Sequence, residues 1–239
     1  MTQGASPCNE LTPELLASAR SELLYSPAPV LVWHWRTDFE EGRCASLRQL
    51  LSPSERDKAA SFRFARDRAR SVIAHAGLRR VLGACLGIAP DRVAFVVTVA
   101  GKPGVPDADA VSFNLAHSGR IAAAAVSRGR EIGIDIEHIR PAAGLAAIAE
   151  RFFRPAERAW LKSQGDQWLE GFYRLWTAKE AILKASGTGL SGPLDQTAVR
   201  PGQDAPPWNL RELDLAGGYA ATLAFDGAPA PVRVLTPRQ

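Results

Sequence analysis

Two carboxylates fall on one face of a strand that the middle of the sequence predicts. Residues 132–137 read Ile-Gly-Ile-Asp-Ile-Glu, and isoleucine at every second position is typical of a strand with one buried face. The same period of two places Asp135 and Glu137 together on the opposite face. Carboxylates there could hold one hard cation, because magnesium usually takes one or two carboxylates together with phosphate oxygens. The alternative is a polar strand face in contact with water.

The second set of candidate residues lies on a predicted helix. Trp176, Glu180 and Lys184 are spaced four apart and therefore share one helix face. Gly187 and Gly189 follow the helix directly, and a glycine loop of this kind can approach another group closely. The alternative is an ordinary ion pair between Glu180 and Lys184, with Trp176 packed in the core.

A third set follows a predicted strand. Asn114, His117 and Ser118 lead into a glycine turn, and the histidine ring and the serine hydroxyl can both bind a phosphate. A Gly-Lys-Pro turn at 101–103 precedes this strand. The alternative for His117 is a structural hydrogen bond.

Positive charge is concentrated in one part of the chain. The 239 residues carry a net charge of +4, with an isoelectric point near 9.2. The clustered arginines are Arg63, Arg66, Arg68, Arg70, Arg79 and Arg80. Such a cluster suits a nucleic acid, an acidic protein or a phosphorylated small molecule, and the alternative is a solvated helix face.

Several classes of protein are excluded by composition. The sequence has no apolar run of about 18 residues, so we expect no membrane span. Its first residues do not combine a basic and an apolar segment, as a secretion signal would. Cys8, Cys44 and Cys85 are widely spaced, which argues against a zinc site or a disulfide framework. We therefore expect a cytoplasmic protein.

Helical and strand patterns alternate along the chain. We predict helix starts at Pro13 and Pro53, and helices over 67–86, 145–153, 155–162 and 166–185. We predict strands over 30–35, 93–99, 111–115, 121–126, 131–137, 219–225 and 232–235. A turn at 127–130 divides the chain into an N-terminal half (1–129) and a C-terminal half (130–239) that carries the carboxylates. Both halves mix helices and strands, which predicts an α+β (α/β) fold with a ligand between the halves.

Four motifs occur in a specific order: GKP, FNLAHS, GIDIE and WTAKEAILKASGTGL. From about residue 51 to 190 the sequence resembles the phosphopantetheinyl transferase superfamily, in its two-domain branch typified by the surfactin synthetase activator. The resemblance implies two similar halves packed as an intramolecular pseudo-dimer, with coenzyme A and magnesium between them. It also implies an enzyme that moves 4′-phosphopantetheine from coenzyme A to a serine of an apo acyl or peptidyl carrier protein and releases adenosine 3′,5′-bisphosphate. The internal pseudo-dimer predicts a monomer.

The resemblance also assigns roles to individual residues. Asp135, Glu137 and Glu180 match metal ligands, Glu180 also matches the base, and Lys184 matches the lysine that faces the pyrophosphate. His117 matches the histidine at the 3′-phosphate, Gly101, Lys102 and Pro103 match the loop beside the adenine, and Lys58 and Ser71 match further phosphate contacts. We add Ser118 to the coenzyme A contacts because its hydroxyl follows His117. Two positions depart from the family pattern: Ala116 stands where many members have serine, and Glu55 stands where a basic residue is frequent, so that Arg56 or Arg63 would substitute.

Three functions remain to be distinguished. A transferase would use magnesium or manganese and would bind an acidic helical carrier domain, which a basic enzyme attracts. A nucleic-acid-binding module would use the arginines and would leave the three acids without a role, so we predict no nucleic-acid partner. A magnesium-dependent hydrolase of nucleotide diphosphates would use the same acids without a carrier.

Overall fold

Two β-sheets share a core at the centre of the molecule, and a long helix packs on the other side of each sheet. The computed structural model describes residues 11–24, 29–38, 41–97, 102–106, 111–188 and 197–235, without the side chains of 41–43. The helices are α1 (Pro13–Ala17), α2 (Ala19–Leu24), α3 (Glu41–Arg48), α4 (Pro53–Ala60), α5 (Ala65–Leu86), α6 (Leu145–Phe152), α7 (Pro155–Ser163) and α8 (Trp168–Ser186). The strands are β1 (Val30–Arg36), β2 (Val96–Val97), β3 (Pro103–Gly104), β4 (Val111–Ser118), β5 (Ile121–Arg128), β6 (Ile132–His138), β7 (Asn209–Glu212), β8 (Tyr219–Phe225) and β9 (Val232–Leu235).

Each sheet belongs mainly to one half of the chain. The first sheet has the order β4-β5-β1-β9, with β9 parallel to β1 and the other neighbours antiparallel. The second has the order β6-β8-β7 and is antiparallel throughout. β2 and β3 form a separate short pair. The domain boundary after residue 129 falls between β5 and β6 and stays a prediction, and β9 returns across it to the first sheet.

Strand periodicity explains how the layers fit together. Along β1, Leu31 and Trp33 pack toward α5, whereas Val30 and Val32 pack into the core between the sheets. The three isoleucines of β6 enter that same central core. Successive side chains of a strand point to opposite faces, so one strand can serve two layers.

Most predicted elements are confirmed. Thr12 and Ser52 cap the helices that begin at the two prolines, and Ser52 forms a capping box with Glu55. α5 ends at Gly87, whose φ of 72° suits glycine.

Three predictions about strand limits are wrong. The strand predicted over 111–115 continues to Ser118 as β4. The strand predicted over 93–99 is reduced to β2, and its last two residues lie outside the described ranges. The guanidinium of the buried Arg79 holds the preceding turn, with Nη1 donating to the carbonyl oxygens of Pro90 (3.1 Å) and Val93 (2.9 Å). The turn at 127–130 is shorter than predicted, because Ser127 and Arg128 still belong to β5.

No helix within the described ranges has the length and apolarity needed to cross a membrane. The cytoplasmic location stays a prediction.

Candidate active site

The carboxylate face of β6 is covered by α8. Gly133 allows the backbones to meet, since a Cβ atom there would lie 2.1 Å from the carbonyl oxygen of Ala181 and 2.4 Å from the amide nitrogen of Ala185. Asp135 therefore lies in the interface and is only 5% exposed. The alternative of a polar strand face in water is wrong for Asp135, while Glu137 stays half-buried beside it.

Lys184 forms its ion pair across this interface. Its Nζ atom donates to Oδ1 of Asp135 at 2.6 Å and to the carbonyl oxygen of Ile134 at 3.3 Å. The simple pair between Glu180 and Lys184 is therefore not the arrangement that α8 adopts. Trp176 does take the structural role, because it is half-buried and stacks on Phe172 at 6.2 Å.

The three acids are short of positive charge. Among the described residues, Oδ2 of Asp135 and Oε1 of Glu180 are buried without a hydrogen-bond partner. Burial raises the pKa of Glu180 to about 7, and the charges of Asp135 and Glu137 add to the rise while Lys184 opposes it. Burial also raises the pKa of Asp135 against the effect of Lys184, and that of Glu137 against a hydrogen bond from Ser118. A bound cation would lower the pKa of all three acids.

The donor set fits a hard cation, although it is not a closed cage. In the part of the chain that the structure describes, no three acidic, histidine or cysteine side chains converge into a ready-made metal site. Magnesium does not require one, because it usually keeps waters and substrate phosphate oxygens beside one or two carboxylates. Buried carboxylate oxygens without a partner are the donors that such an ion would use.

A cleft of about 1010 Å³ opens in the N-terminal half, and its wall reaches Asn114, whose side chain accepts from the amide of Ile134 on β6. Its walls include Lys58, His75, Pro103 and His117. A second cavity, of about 840 Å³, lies between α7 and residues 197–206 and has none of the candidate residues in its lining. Three of the predicted ligand contacts, Lys58, Pro103 and His117, therefore share this cleft.

Positive charges surround His117 in the cleft. Its pKa is lowered to about 4, first by reduced hydration and then by His75, Lys184, Lys58 and Arg70. The ring keeps contact with solvent, and the charges of Lys184, Lys58 and Arg70 make its surroundings positive. Arg70 and His75 were not among the predicted site residues, and the arginine cluster was the only signal for Arg70. A surface of this kind suits a phosphorylated ligand.

His117 and Ser118 lie on opposite faces of β4. The strand continues to Ser118, so the ring of His117 faces the cleft and the hydroxyl of Ser118 faces β6. Oγ of Ser118 donates to Oε2 of Glu137 at 2.6 Å and accepts from the amide of His138 at 3.1 Å. Ala116, the departure from the family pattern, packs in the central core.

Two residues of the Gly-Lys-Pro turn have different surroundings. Pro103 lines the cleft, whereas the side chain of Lys102 is buried and binds the C-terminal half. Gly101 lies outside the described residues.

Two further positions near α5 differ in exposure. Ser71 is only 1% exposed and forms no part of the described cleft wall, whereas Lys58 is exposed on it. Glu55 has a partner on α5, because Nε of Arg79 donates to its Oε2 at 2.8 Å. The acid at position 55 is thus matched by a buried arginine from α5.

Comparison with known proteins agrees with this geometry. Residues 34–128 match the family described as 4′-phosphopantetheinyl transferase, N-terminal, and residues 131–224 match the 4′-phosphopantetheinyl transferase superfamily. The 4′-phosphopantetheinyl transferase HetI of Nostoc sp. is 38% identical over 208 residues, which cover 83% of this chain and 88% of HetI. The chain belongs to the 4′-phosphopantetheinyl transferase superfamily.

Relatives from Bacillus subtilis place it in the Sfp-like branch. The transferase Sfp is 36% identical over 155 residues, which are 64% of this chain and 68% of Sfp. A further 4′-phosphopantetheinyl transferase is 38% identical over 63% of this chain and 66% of its own length. The predicted two-half α+β fold and the transfer of phosphopantetheine to carrier proteins are confirmed. The roles of individual residues stay predictions.

Proposed function

We propose that this transferase takes phosphopantetheine from coenzyme A in a magnesium-dependent reaction and attaches it to a serine of an acidic apo acyl or peptidyl carrier protein. Adenosine 3′,5′-bisphosphate is the second product. The observation that carries the proposal is the pair of buried carboxylate oxygens, on Asp135 and Glu180, that lack a partner within the described chain beside Lys184. They adjoin a cleft whose cations suit a nucleotide with three phosphates.

Asp135, Glu137 and Glu180 would hold the metal. When bound, magnesium, or manganese in its place, supplies positive charge to the pyrophosphate oxygens as the bond to phosphorus breaks. Lys184 adds a fixed positive charge from α8 on the leaving side. All these groups act on negative charge that moves during the transfer. Stabilisation of such charge in the transition state is usually the largest contribution to an enzyme's rate.

Coenzyme A would lie along the cleft. We place its 3′-phosphate at His117 and Lys58 and its adenine beside the turn at Pro103, since these three residues share the cleft wall. Coenzyme A contacts by Gly101 and Ser71 stay predictions. The side chains of Lys102 and Ser118 have other partners, across the junction between the halves.

Glu180 is our candidate base. The raised pKa of about 7 belongs to the metal-free protein, and a bound cation would lower it. A carboxylate is then a weak base, but it is adequate when it lies within hydrogen-bond reach of the proton that it accepts. Glu180 would accept the proton of the carrier serine, directly or through a water that it holds.

The partner would be an acidic carrier domain bound by a monomeric enzyme. Exposed arginines support this interpretation, among them Arg63 and Arg66 in and just after the loop that joins α4 to α5. Electrostatic attraction mainly raises the association rate, so we expect carrier kcat/KM to fall as salt is added.

Intact-mass measurement of apo carrier proteins tests the function. Each carrier is incubated with coenzyme A, magnesium and the enzyme, and a transferase adds the mass of one phosphopantetheine. A hydrolase of nucleotide diphosphates would consume coenzyme A and leave the carrier mass unchanged. A nucleic-acid-binding module would show salt-sensitive binding to duplex DNA without turnover.

A further inference from the structure

β6 carries two of the predicted metal ligands, yet it is an outer strand of its sheet. In the order β6-β8-β7 only one edge of β6 is paired with another described strand. β4 runs beside the other edge without entering the same sheet, and we call this junction the seam. An unpaired edge presents backbone N–H and C=O groups that need partners when they are buried.

Side chains of the N-terminal half bind this edge in place of a strand. Nζ of Lys102 donates to the carbonyl oxygen of Ile132 at 3.1 Å. Oδ1 of Asn114 accepts from the amide of Ile134 at 2.9 Å, and Oγ of Ser118 accepts from the amide of His138 at 3.1 Å. The three backbone groups belong to residues 132, 134 and 138, which are separated by even numbers of residues. Groups at such positions face the same edge of a strand.

Lys102 binds both of the elements that carry the predicted metal ligands, β6 and α8. It also donates to the carbonyl oxygen of Ala185 at 2.9 Å and to Oε2 of Glu131 at 2.7 Å. An ammonium group can donate several hydrogen bonds at once, so a single lysine can bind both β6 and α8. Ala185 follows Lys184 directly, so one buried cation fixes the end of α8 against the start of β6.

Ser118 reaches a predicted metal ligand itself. The hydroxyl that accepts from the His138 amide also donates to Oε2 of Glu137 at 2.6 Å. It therefore fixes the position of one carboxylate oxygen of Glu137 and leaves the other oxygen for a ligand.

We propose that Lys102, Asn114 and Ser118 are positioning residues, which form a latch across the seam and hold the carboxylates of β6 against α8. The N-terminal half thus orders the metal-binding residues of the C-terminal half without contacting the metal. The role given to these carboxylates rests on the proposed function, whereas the latch itself does not.

Hydrogen exchange tests the latch independently of activity. In the full-length chain without ligands we expect the amide of His138 to exchange at least about tenfold faster in Ser118→Ala, and that of Ile134 in Asn114→Ala, because each loses its acceptor. Ser163→Ala is the matched control, since that hydroxyl bonds to nearby residues at the end of α7, donating to the carbonyl oxygen of Trp160 and accepting from Nε2 of Gln164. Unchanged exchange of both amides would overturn the latch, whether or not the enzyme transfers phosphopantetheine.

Kinetics distinguish positioning from coenzyme A binding. For Ser118→Ala we expect kcat to fall about tenfold, the loss of a hydrogen bond to a charged group, while KM for coenzyme A stays within about twofold. Ser118→Thr keeps the hydroxyl and should recover most of kcat, and Ser163→Ala should match the parent. A large rise in KM with an unchanged kcat would make Ser118 a coenzyme A contact and would refute the latch, while the proposed function would stand. Absence of transfer by the parent enzyme itself would refute the proposed function and leave the exchange measurement to decide the latch.

Discussion

Nζ of Lys184 lies 2.6 Å from Oδ1 of Asp135, across the contact between α8 and β6. This one lysine faces three carboxylates whose pKa values are all raised, so the positive charge of Lys184 does not offset the burial of the three acids. Under the proposed function, a divalent cation held by the carboxylates would offset this excess of negative charge, and Lys184 would face the pyrophosphate oxygens. In the structure itself, the ion pair holds the end of α8 against β6.

Removal of divalent cations should abolish transfer. We expect activity to disappear after chelation and to return with magnesium or manganese, because all of the predicted ligands are hard oxygen donors. The measurement is the rate of carrier modification before chelation, after it and after metal is restored. Full activity in the thoroughly chelated enzyme would contradict the metal role.

Replacement of His117 by alanine should weaken the binding of coenzyme A more than that of its 3′-dephospho analogue. A charge-assisted hydrogen bond contributes about 1.5–3 kcal/mol, which corresponds to about ten- to a hundredfold in affinity. The pKa of about 4 leaves the ring neutral near pH 7, and a bound phosphate would raise that pKa. Binding then takes up a proton, so the affinity for coenzyme A should increase as pH falls from about 7.5 to 5.5.

Calorimetry with both ligands at the two pH values makes this measurement. The pH dependence should be smaller for the dephospho analogue and for the His117→Ala variant. Equal losses for both ligands would assign His117 a structural role.

The sequence pattern predicts the part of the site whose geometry depends on neighbouring residues in one strand. The alternation in residues 132–137 predicts β6, its buried isoleucines and the shared face of Asp135 and Glu137. The strand that corresponds to β4 is predicted to end at 115, which hides the fact that His117 and Ser118 alternate on one strand. A period of two continued to residue 118 would have separated their roles.

Contacts between distant residues could not be predicted in this way. Lys102 and Ala185 are 83 positions apart, and Arg79 and Glu55 are 24 apart. No periodicity links such pairs, because the first distance depends on how the two halves pack and the second on how α5 packs against α4. The buried partner of Glu55 explains in structural terms a position that the family pattern alone marked as unusual.

Gly133→Ala should separate β6 from α8. The added carbon would meet backbone atoms of Ala181 and Ala185 at 2.1 and 2.4 Å, and backbone cannot move aside as a side-chain tip can. Overpacking of this kind typically costs about 1–3 kcal/mol, and here it also moves Asp135 away from Lys184. Gly217→Ala is the matched control, since its Cβ would have no described atom within 4 Å. Urea unfolding and transfer rates of the two variants make the comparison, and equal behaviour would show that the close contact is not needed.

Glu180→Gln should slow turnover and stabilise the metal-free protein at high pH. Loss of the charge and of the base should reduce kcat about a hundredfold or more. The folded-state pKa is raised from 4.5 to about 7, so this group stabilises the fold below its unfolded-state pKa and loses that contribution as pH rises through about 7. A tenfold difference in proton affinity between the folded and unfolded states corresponds to about 1.4 kcal/mol, so the variant should gain up to about 3 kcal/mol relative to the parent between pH 5 and pH 8. Urea unfolding in the presence of a chelator measures this gain, and a difference that does not vary with pH would contradict it.

Lys184→Met should affect both turnover and stability, for separate reasons. The methionine keeps much of the stem and removes the charge, so kcat at saturating coenzyme A and carrier should fall about a hundredfold. Asp135 then remains buried without its counter-charge, which should lower the free energy of unfolding at pH 8 by about 1–3 kcal/mol, since Lys184 is itself partly exposed to solvent. The double variant Asp135→Asn/Lys184→Met removes both charges and should regain stability without regaining turnover. If Lys184→Met turned over normally, the lysine would act only in packing against β6, and transfer would have to draw its positive charge from the metal and the cleft alone.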